Sequence, residues 1–296
     1  MPLRALLRLL MILCCCAINA VAAESRSYFV DIQLDPPGKE GNYYVDLLAL
    51  MLNASKDPDE VIEFRFSNDQ LSQARWISEV IQDKNNNVLW SMSSKAREDN
   101  LHLIRVPILK GLMGYRLLVI RKADEAKFAN INTKKDLLSL TAGQGMHWPD
   151  TDILRANEFR LTEAMAKENL YKMLAAKRFD FFPRGVVEVG LEEDLIEKQN
   201  LMVEPHLLLH YPADIFFFVS KKNTELATRL EKGWAIIQKN GEFDKFFLNA
   251  ARVKSAIDIL QKHKRTIIEL ENPFLPDDTL LNAPGYWFDI NSLKME

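Results

Sequence analysis

The stretch Asn87–Arg121, NVLWSMSSKAREDNLHLIRVPILKGLMGYRLLVIR, runs an alternating segment, a polar Ser/Arg segment and a second apolar segment in succession. Val88, Trp90 and Met92 fall on one side and Leu89, Ser91 and Ser93 on the other, the period of two of a half-buried strand. The strand breaks into Ser94-Lys95-Ala96-Arg97-Glu98, which predicts a loop. Short hydroxyls and a guanidinium at the carboxyl end of a strand suit an oxygen-bearing anion, because the fork gives two parallel charge-assisted hydrogen bonds. Ser91, Ser93, Ser94 and Arg97 are therefore candidate ligand contacts. The alternative is a solvated loop whose Arg97 pairs with Glu98 or Asp99, a common and weak surface arrangement. Leu109–Tyr115 predicts a crossover between domains, and the apolar strand after it ends at Arg121.

Upstream, Tyr28–Leu34 alternates as a strand and Asp35-Pro36-Pro37-Gly38 is a turn signal. Tyr44, Leu47, Leu48, Met51 and Leu52 sit at helical spacing and read as core. Val61–Phe66 predicts a second strand and Leu71–Ile81 a second helix. Strand and helix in alternation predict a parallel sheet with covering helices, whose open strand ends are where ligands bind.

Downstream the pattern begins again. Leu140–Gly145 predicts a short strand and Pro149-Asp150-Thr151 a helix start, capped by Asp150 or Thr151. That helix N-terminus brings free amides to the second lobe's open edge, although Gly143-Gln144-Gly145 alone reads as an ordinary turn. A helix through Leu170, Tyr171, Met173 and Leu174 leads into Phe179–Gly185, and Leu207–Leu209 with Ile215–Val219 forms the return crossing. His206 and His210 lie on extended chain, where four residues span about 13 Å, too far for one metal ion. Thr224–Gln238 is amphipathic and stops at Asn240-Gly241, a short helix is predicted over Glu242–Leu248, and the tail from Thr266 is expected to strap across the first lobe.

At 296 residues with 48% hydrophobic content the chain can bury a sizeable core. Residues 1–23 read as a secretory signal: Arg4 and Arg8, an apolar run from Leu9 to Ala17, then Val21-Ala22-Ala23 before Glu24. All three cysteines fall inside it, so a mature chain has no thiol for a disulfide, a metal site or a nucleophile. The formal net charge of −3 becomes more negative once Arg4 and Arg8 are removed, which argues against nucleic acid or anionic membrane as main partner.

In order and spacing, Ser94-Lys95-Ala96-Arg97-Glu98, then Val106-Pro107-Ile108, then Gly114-Tyr115-Arg116-Leu117-Leu118-Val119-Ile120-Arg121-Lys122 resemble a segment of the periplasmic polar-amino-acid solute-binding proteins of the family 3 type. There the segment reads Thr-Pro-Glu-Arg-Glu, an aromatic-Ser-x-Pro-Tyr, and a strand ending in Arg-Lys. The resemblance covers Tyr28 to Leu248. It implies an α/β periplasmic binding protein type II fold: two lobes, each a mostly parallel sheet with flanking helices, joined by a two-strand hinge. Lobe I would hold residues 24–113 and 215–296, and lobe II residues 114–214.

The resemblance further implies that Arg97 grips a ligand carboxylate and that Gln144, Trp148 and Thr151 supply contacts from the second lobe. Phe179-Asp180-Phe181-Phe182-Pro183-Arg184-Gly185 resembles the family's Gly-x-x-Asp-x-x-x-x-Asp strand, with one departure. The second Asp, which in amino-acid-binding relatives meets the ligand's α-ammonium, is Gly185 here and follows Arg184. An unpaired Arg beside an ammonium repels it, so Arg97 and Arg184, one from each lobe, point to a ligand with two anionic ends. Two alternatives stay open: Glu188 supplies the missing carboxylate, or Arg184 is a surface residue.

The expected function is capture of a small polar or anionic solute in the interlobe cleft of a monomeric periplasmic protein that works with an ABC permease and needs no cofactor. The same fold also serves as a sensor input to a membrane receptor. A cleft dehydratase is a third reading, for which Asp180 and Glu188 are the nameable acids.

Overall fold

The computed structural model describes residues 26–33, 42–67, 71–84, 87–275 and 285–293. The signal at 1–23 and the turn Asp35–Gly38 lie outside them. Two lobes are built on three sheets. In the first lobe β1 (Arg26–Gln33) and β2 (Glu60–Ser67) pair in parallel, Arg26 opposite Glu60 through to Gln33 opposite Ser67. Between them runs α1 (Tyr43–Ser55), started by Asn42, whose side chain accepts from the Tyr44 and Val45 amides. Its Leu47, Leu48, Met51 and Leu52 are wholly buried, as their spacing dictates.

Then come α2 (Gln73–Gln82), β3 (Val88–Met92), α3 (Lys95–Asn100) and β4 (Leu101–Ile104). The predicted Ser94–Glu98 loop is corrected here. Ser94 caps α3 by accepting from the Arg97 amide at 3.4 Å, and Lys, Ala, Arg and Glu after a Ser cap favour a helical turn.

The second lobe is one sheet in the order β12-β10-β5-β8-β6-β7, with β9 also on β5. Its strands are β5 (Tyr115–Arg121), β6 (Thr141–Gly145), β7 (Arg160–Ala164), β8 (Phe181–Gly185), β9 (Leu201–Val203), β10 (Leu207–His210) and β12 (Thr266–Glu269). β6 runs parallel to β7 and β8, whereas β5 runs antiparallel to β8, β9 and β10. In the first lobe β11 (Ile215–Ser220) likewise lies between β3 and β4, antiparallel to both. Each strand that arrives across the hinge thus enters its new sheet against the local direction. All seven residues of β5 are buried, which fits a central strand covered on both faces.

Helices α4 (Glu125–Phe128), α5 (Lys134–Leu137), α6 (Pro149–Ala156), α7 (Lys167–Ala175), α8 (Val186–Val189) and α9 (Glu193–Lys198) belong to the second lobe's run of chain. α10 (Thr224–Lys239) packs on α1, and α11 (Glu242–Asn249) and α12 (Ala251–Lys262) follow.

The two crossing segments lie side by side. Ile108 N–H donates to the Ile215 carbonyl at 3.1 Å and Tyr211 N–H to the Gly114 carbonyl at 3.2 Å. Asp214, 1% exposed, fastens the turn at Gly111: its carboxylate accepts from the amides of Leu109, Gly111 (2.7 Å) and Ile215 (2.7 Å). Gly111 has φ +77°, and a Cβ there would run into the Trp287 ring.

The tail does not strap across the first lobe alone. β12 adds in parallel to β10, extending the second lobe's sheet. Residues 285–293 then return to the hinge and first lobe: Trp234 Nε1 donates to the Tyr286 hydroxyl, Phe288 N–H to the Lys110 carbonyl, and Phe288 packs on Phe247. Residues 266–269 therefore fall in the sheet that the sequence boundaries had assigned to 114–214.

Candidate functional site

A cavity of about 140 Å³ lies between the lobes. Gln73, Trp90, Ser91 and Met92 line it from the first lobe, Met113 and Ile215 from the hinge, and Arg116, Trp148, Pro149, Asp150, Arg184 and Glu188 from the second. These positions are the carboxyl ends of β3 and β8, the amino end of β5 and the first turns of α6 and α8, the open edge at which α/β sheets hold ligands.

On the first-lobe side α3 turns Arg97 inward, leaving it 7% exposed. One terminal nitrogen donates to Gln73 Oε1 at 3.2 Å, the other reaches Ser94 Oγ at 3.5 Å, and the buried Nε has no partner. Gln73 in turn donates to Ser91 Oγ at 3.4 Å, so its amide bridges the guanidinium to the cavity wall. Neither acid proposed to neutralise Arg97 does so. Glu98 pairs with Arg105 at 2.9 Å and accepts from Ser93, while Asp99 pairs with Lys95 at 2.9 Å. Among the described residues Arg97 has no carboxylate within ion-pair distance, and burial lowers its pKa from the ordinary arginine value, opposed by the more distant charge of Asp150.

The second-lobe side is a closed network of ion pairs. Arg116, 2% exposed, meets Asp150 at 2.6 Å and Glu188 at 3.6 Å and lies over the Tyr211 ring, whose hydroxyl donates to Asp150 at 2.5 Å. Arg184, 4% exposed, donates from Nε and a terminal nitrogen to the two oxygens of Glu192 at 2.8 Å each, and meets Glu188 at 3.0 Å. Tyr171 and Lys167 complete the shell of Glu192. Burial alone would raise the Glu192 carboxyl, but the Arg184 guanidinium outweighs it and holds it at about 2.

These positions correct several expectations. Ser91, Trp148 and Arg184 line the cavity and Arg97 stands behind Gln73, but Ser94 is spent on capping and Ser93 on Glu98. Gln144 and Thr151 are buried and turned into their own loop: Gln144 Oε1 accepts from the Gly145 amide and Thr151 Oγ1 donates to the Gly145 carbonyl. The start of α6 is no open anion site, because Asp150 already places a carboxylate in its first turn.

Arg184 is not a surface residue, and its charge is already matched, so the paired-arginine cleft loses its second free cation. At Gly185 a Cβ would stand 2.9 Å from Glu188 Oε2 and 3.2 Å from an Arg116 nitrogen; the space of the expected Asp is taken by that pair. Asp180 leaves the set of cleft acids altogether. It precedes β8 at the end away from Arg184 and Gly185, and binds Lys127 and the Thr141 amide.

His206 and His210 sit in separate pairs, with Glu204 and with Glu269. Sequence reasoning missed Gln73, Arg116 and Asp150 as site residues. The available signal for Arg116 was a lone charge inside the apolar run Gly114–Ile120.

No family model and no curated protein sequence matches the chain. Solved structures do. An amino acid ABC transporter substrate-binding protein, AbpA from Streptococcus pneumoniae bound to L-arginine, superposes with TM-score 0.55 at 14% identity, covering 81% of this chain and 99% of that one. The second Venus-flytrap domain of BvgS from Bordetella pertussis gives 0.57 at 15%, covering 76% and 93%. A histidine kinase sensor domain with similarity to periplasmic binding proteins gives 0.54 at 16%, covering 77% and 97%. The fold is that of the two-lobed periplasmic binding proteins. Among the described residues no helix is long and apolar enough to cross a membrane.

Proposed function

We propose that this protein is an extracytoplasmic solute-binding protein that captures a small anionic solute between its lobes. The observation that carries the reading is Arg97: a guanidinium 7% exposed, across the cleft from a self-neutralised network, with an orphaned Nε and, among the described residues, no carboxylate partner. A buried cation without a counter-charge is costly, and an incoming carboxylate relieves that cost with charge-assisted bonds. The two crossing segments, non-strand chain at 105–114 and 211–214, give the lobes a route to close on the solute. The fold shared with AbpA supports delivery to an ABC permease.

A sensor role is the second reading, favoured by the fold shared with the BvgS and histidine kinase domains and by a tail that touches both lobes and the hinge. Thermal melts of the wild-type protein against small acids test capture. A ligand at a hundred times its Kd stabilises by about 2.7 kcal/mol, and an unmoved melt with every acid would refute it. Co-purification with a permease or with a membrane receptor separates the two roles.

A further inference from the structure

We infer that the interlobe site selects a compact monocarboxylate carrying no ammonium group, a refinement that rests on the solute-capture reading above. The charge pattern around the cavity leads there. The second lobe brings two carboxylates to it, Asp150 and Glu188, beside Arg116 and Arg184, with Glu192 and Lys167 paired behind Arg184. That set is balanced without any outside ion. Arg97, held behind Gln73 on the first-lobe side, has no carboxylate partner among the described residues, so one anionic group that takes over its Gln73 contact completes the site.

A second anionic group finds no uncompensated cation, because the Arg184 edge formed by Nε and one terminal nitrogen is taken by Glu192 at 2.8 Å and the guanidinium charge is already matched by Glu192 and Glu188. An ammonium fares no better. Glu188 already serves Arg184 at 3.0 Å and the Gly185 amide at 2.9 Å, and the Arg116 guanidinium fills the place between Asp150 and Glu188 where an external cation would sit. A protein cation held within 2.6 Å of Asp150 would have to leave for the ligand's to enter.

The remaining wall fixes the body of the ligand. Trp90, Met92, Met113, Trp148, Pro149 and Ile215 are apolar, while Ser91 and Gln73 stand on the Arg97 side. The 140 Å³ volume is close to that of a cavity of about 150 Å³ that admits benzene. The apolar wall and the compact volume suit a carboxylate on a small body, about the size of an aromatic ring and neutral elsewhere.

The test uses the wild-type mature protein and calorimetric titration with monocarboxylates from acetate to benzoate, including lactate, against alanine and succinate. Lactate and alanine differ by a hydroxyl in place of an ammonium. At least one monocarboxylate should bind about a hundredfold more tightly than alanine or succinate. Arg97→Ala should abolish that binding and Arg97→Lys should retain part of it, which guards against a misfolded variant. Glu188→Gln removes one carboxylate from the balance and should raise succinate affinity about tenfold. Alanine or succinate bound as tightly as the best monocarboxylate, in an Arg97-dependent way, overturns this ligand class and leaves solute capture standing. Silence toward every acid overturns both.

Discussion

Glu192→Ala exposes how the second lobe handles its buried charge. In the wild-type protein the Glu192 carboxylate, 5% exposed, takes two bonds from Arg184 at 2.8 Å, one from Tyr171 at 2.6 Å and one from Lys167 at 2.8 Å. Removing one partner of a buried ion pair costs about 3–5 kcal/mol, because the other is left buried and unmatched. Glu188 remains 3.0 Å from Arg184, which places the loss near the lower end, about 3 kcal/mol, or roughly 6–12 °C in Tm for a chain of this size. Urea unfolding followed by circular dichroism measures it.

The pH dependence carries a sign. Glu192 is held at about 2 against a model-peptide value of 4.5, so its stabilisation is fully present above the unfolded value and is lost as pH falls toward 2. The gap between wild type and variant should therefore narrow as acid is added below about pH 4.5. A loss at neutral pH under about 1 kcal/mol, or a gap that stays constant into acid, would refute the pairing and return Arg184 to the ligand set.

Gly111→Ala should destabilise the hinge by about 1–2 kcal/mol from its left-handed φ alone, and by more with Trp287 present. Adding Trp287→Ala removes the clash but not the strain, so a cost in chemical denaturation unchanged between the two backgrounds would contradict the packing at Gly111. Burial pushes the Asp214 carboxyl up to about 7 against the pull of its backbone donors. A group raised in the folded state contributes stability that is present below its unfolded value and lost as pH rises through 7. Asp214→Ala should therefore flatten the wild-type fall in Tm between mildly acidic and alkaline pH, and two parallel profiles would disprove it.

The parts of the fold legible in the sequence are those with local signals. Val88–Met92 alternates, Tyr115–Arg121 is one apolar run, and α1 and α10 repeat at helical spacing. What escaped has its cause far away in the chain or too little length to show a period. β4 and β12 are four residues each, and β12 is a strand only because β10, nearly sixty residues earlier, offers it an edge. α3 is six residues long, so its Ser94 cap was the only cue, and the same serine also looked like a ligand contact.

At the site, Ser91 and Arg97 were candidates from their place at a strand end and Trp148 from the family resemblance; Ser91 and Trp148 line the cavity and Arg97 stands behind Gln73. Gln144 and Thr151 occupy the right loop, but their side chains answer backbone groups at Gly145, a rotamer choice that spacing does not encode. Arg116 and Asp150 are 34 positions apart, and only the packed lobe shows that each neutralises the other. The same holds for Arg184, whose partner Glu192 lies two helical turns on.

On the proposed reading Arg97, without a carboxylate partner among the described residues, holds the anionic solute. The most direct measurement of this is a matched pair of calorimetric titrations, wild type and Arg97→Ala, with the acid that most raises the wild-type melt. Truncating a buried charged partner costs about 2–5 kcal/mol, so affinity should fall at least about thirtyfold in a variant that still unfolds cooperatively. Affinity within about twofold of wild type would contradict it.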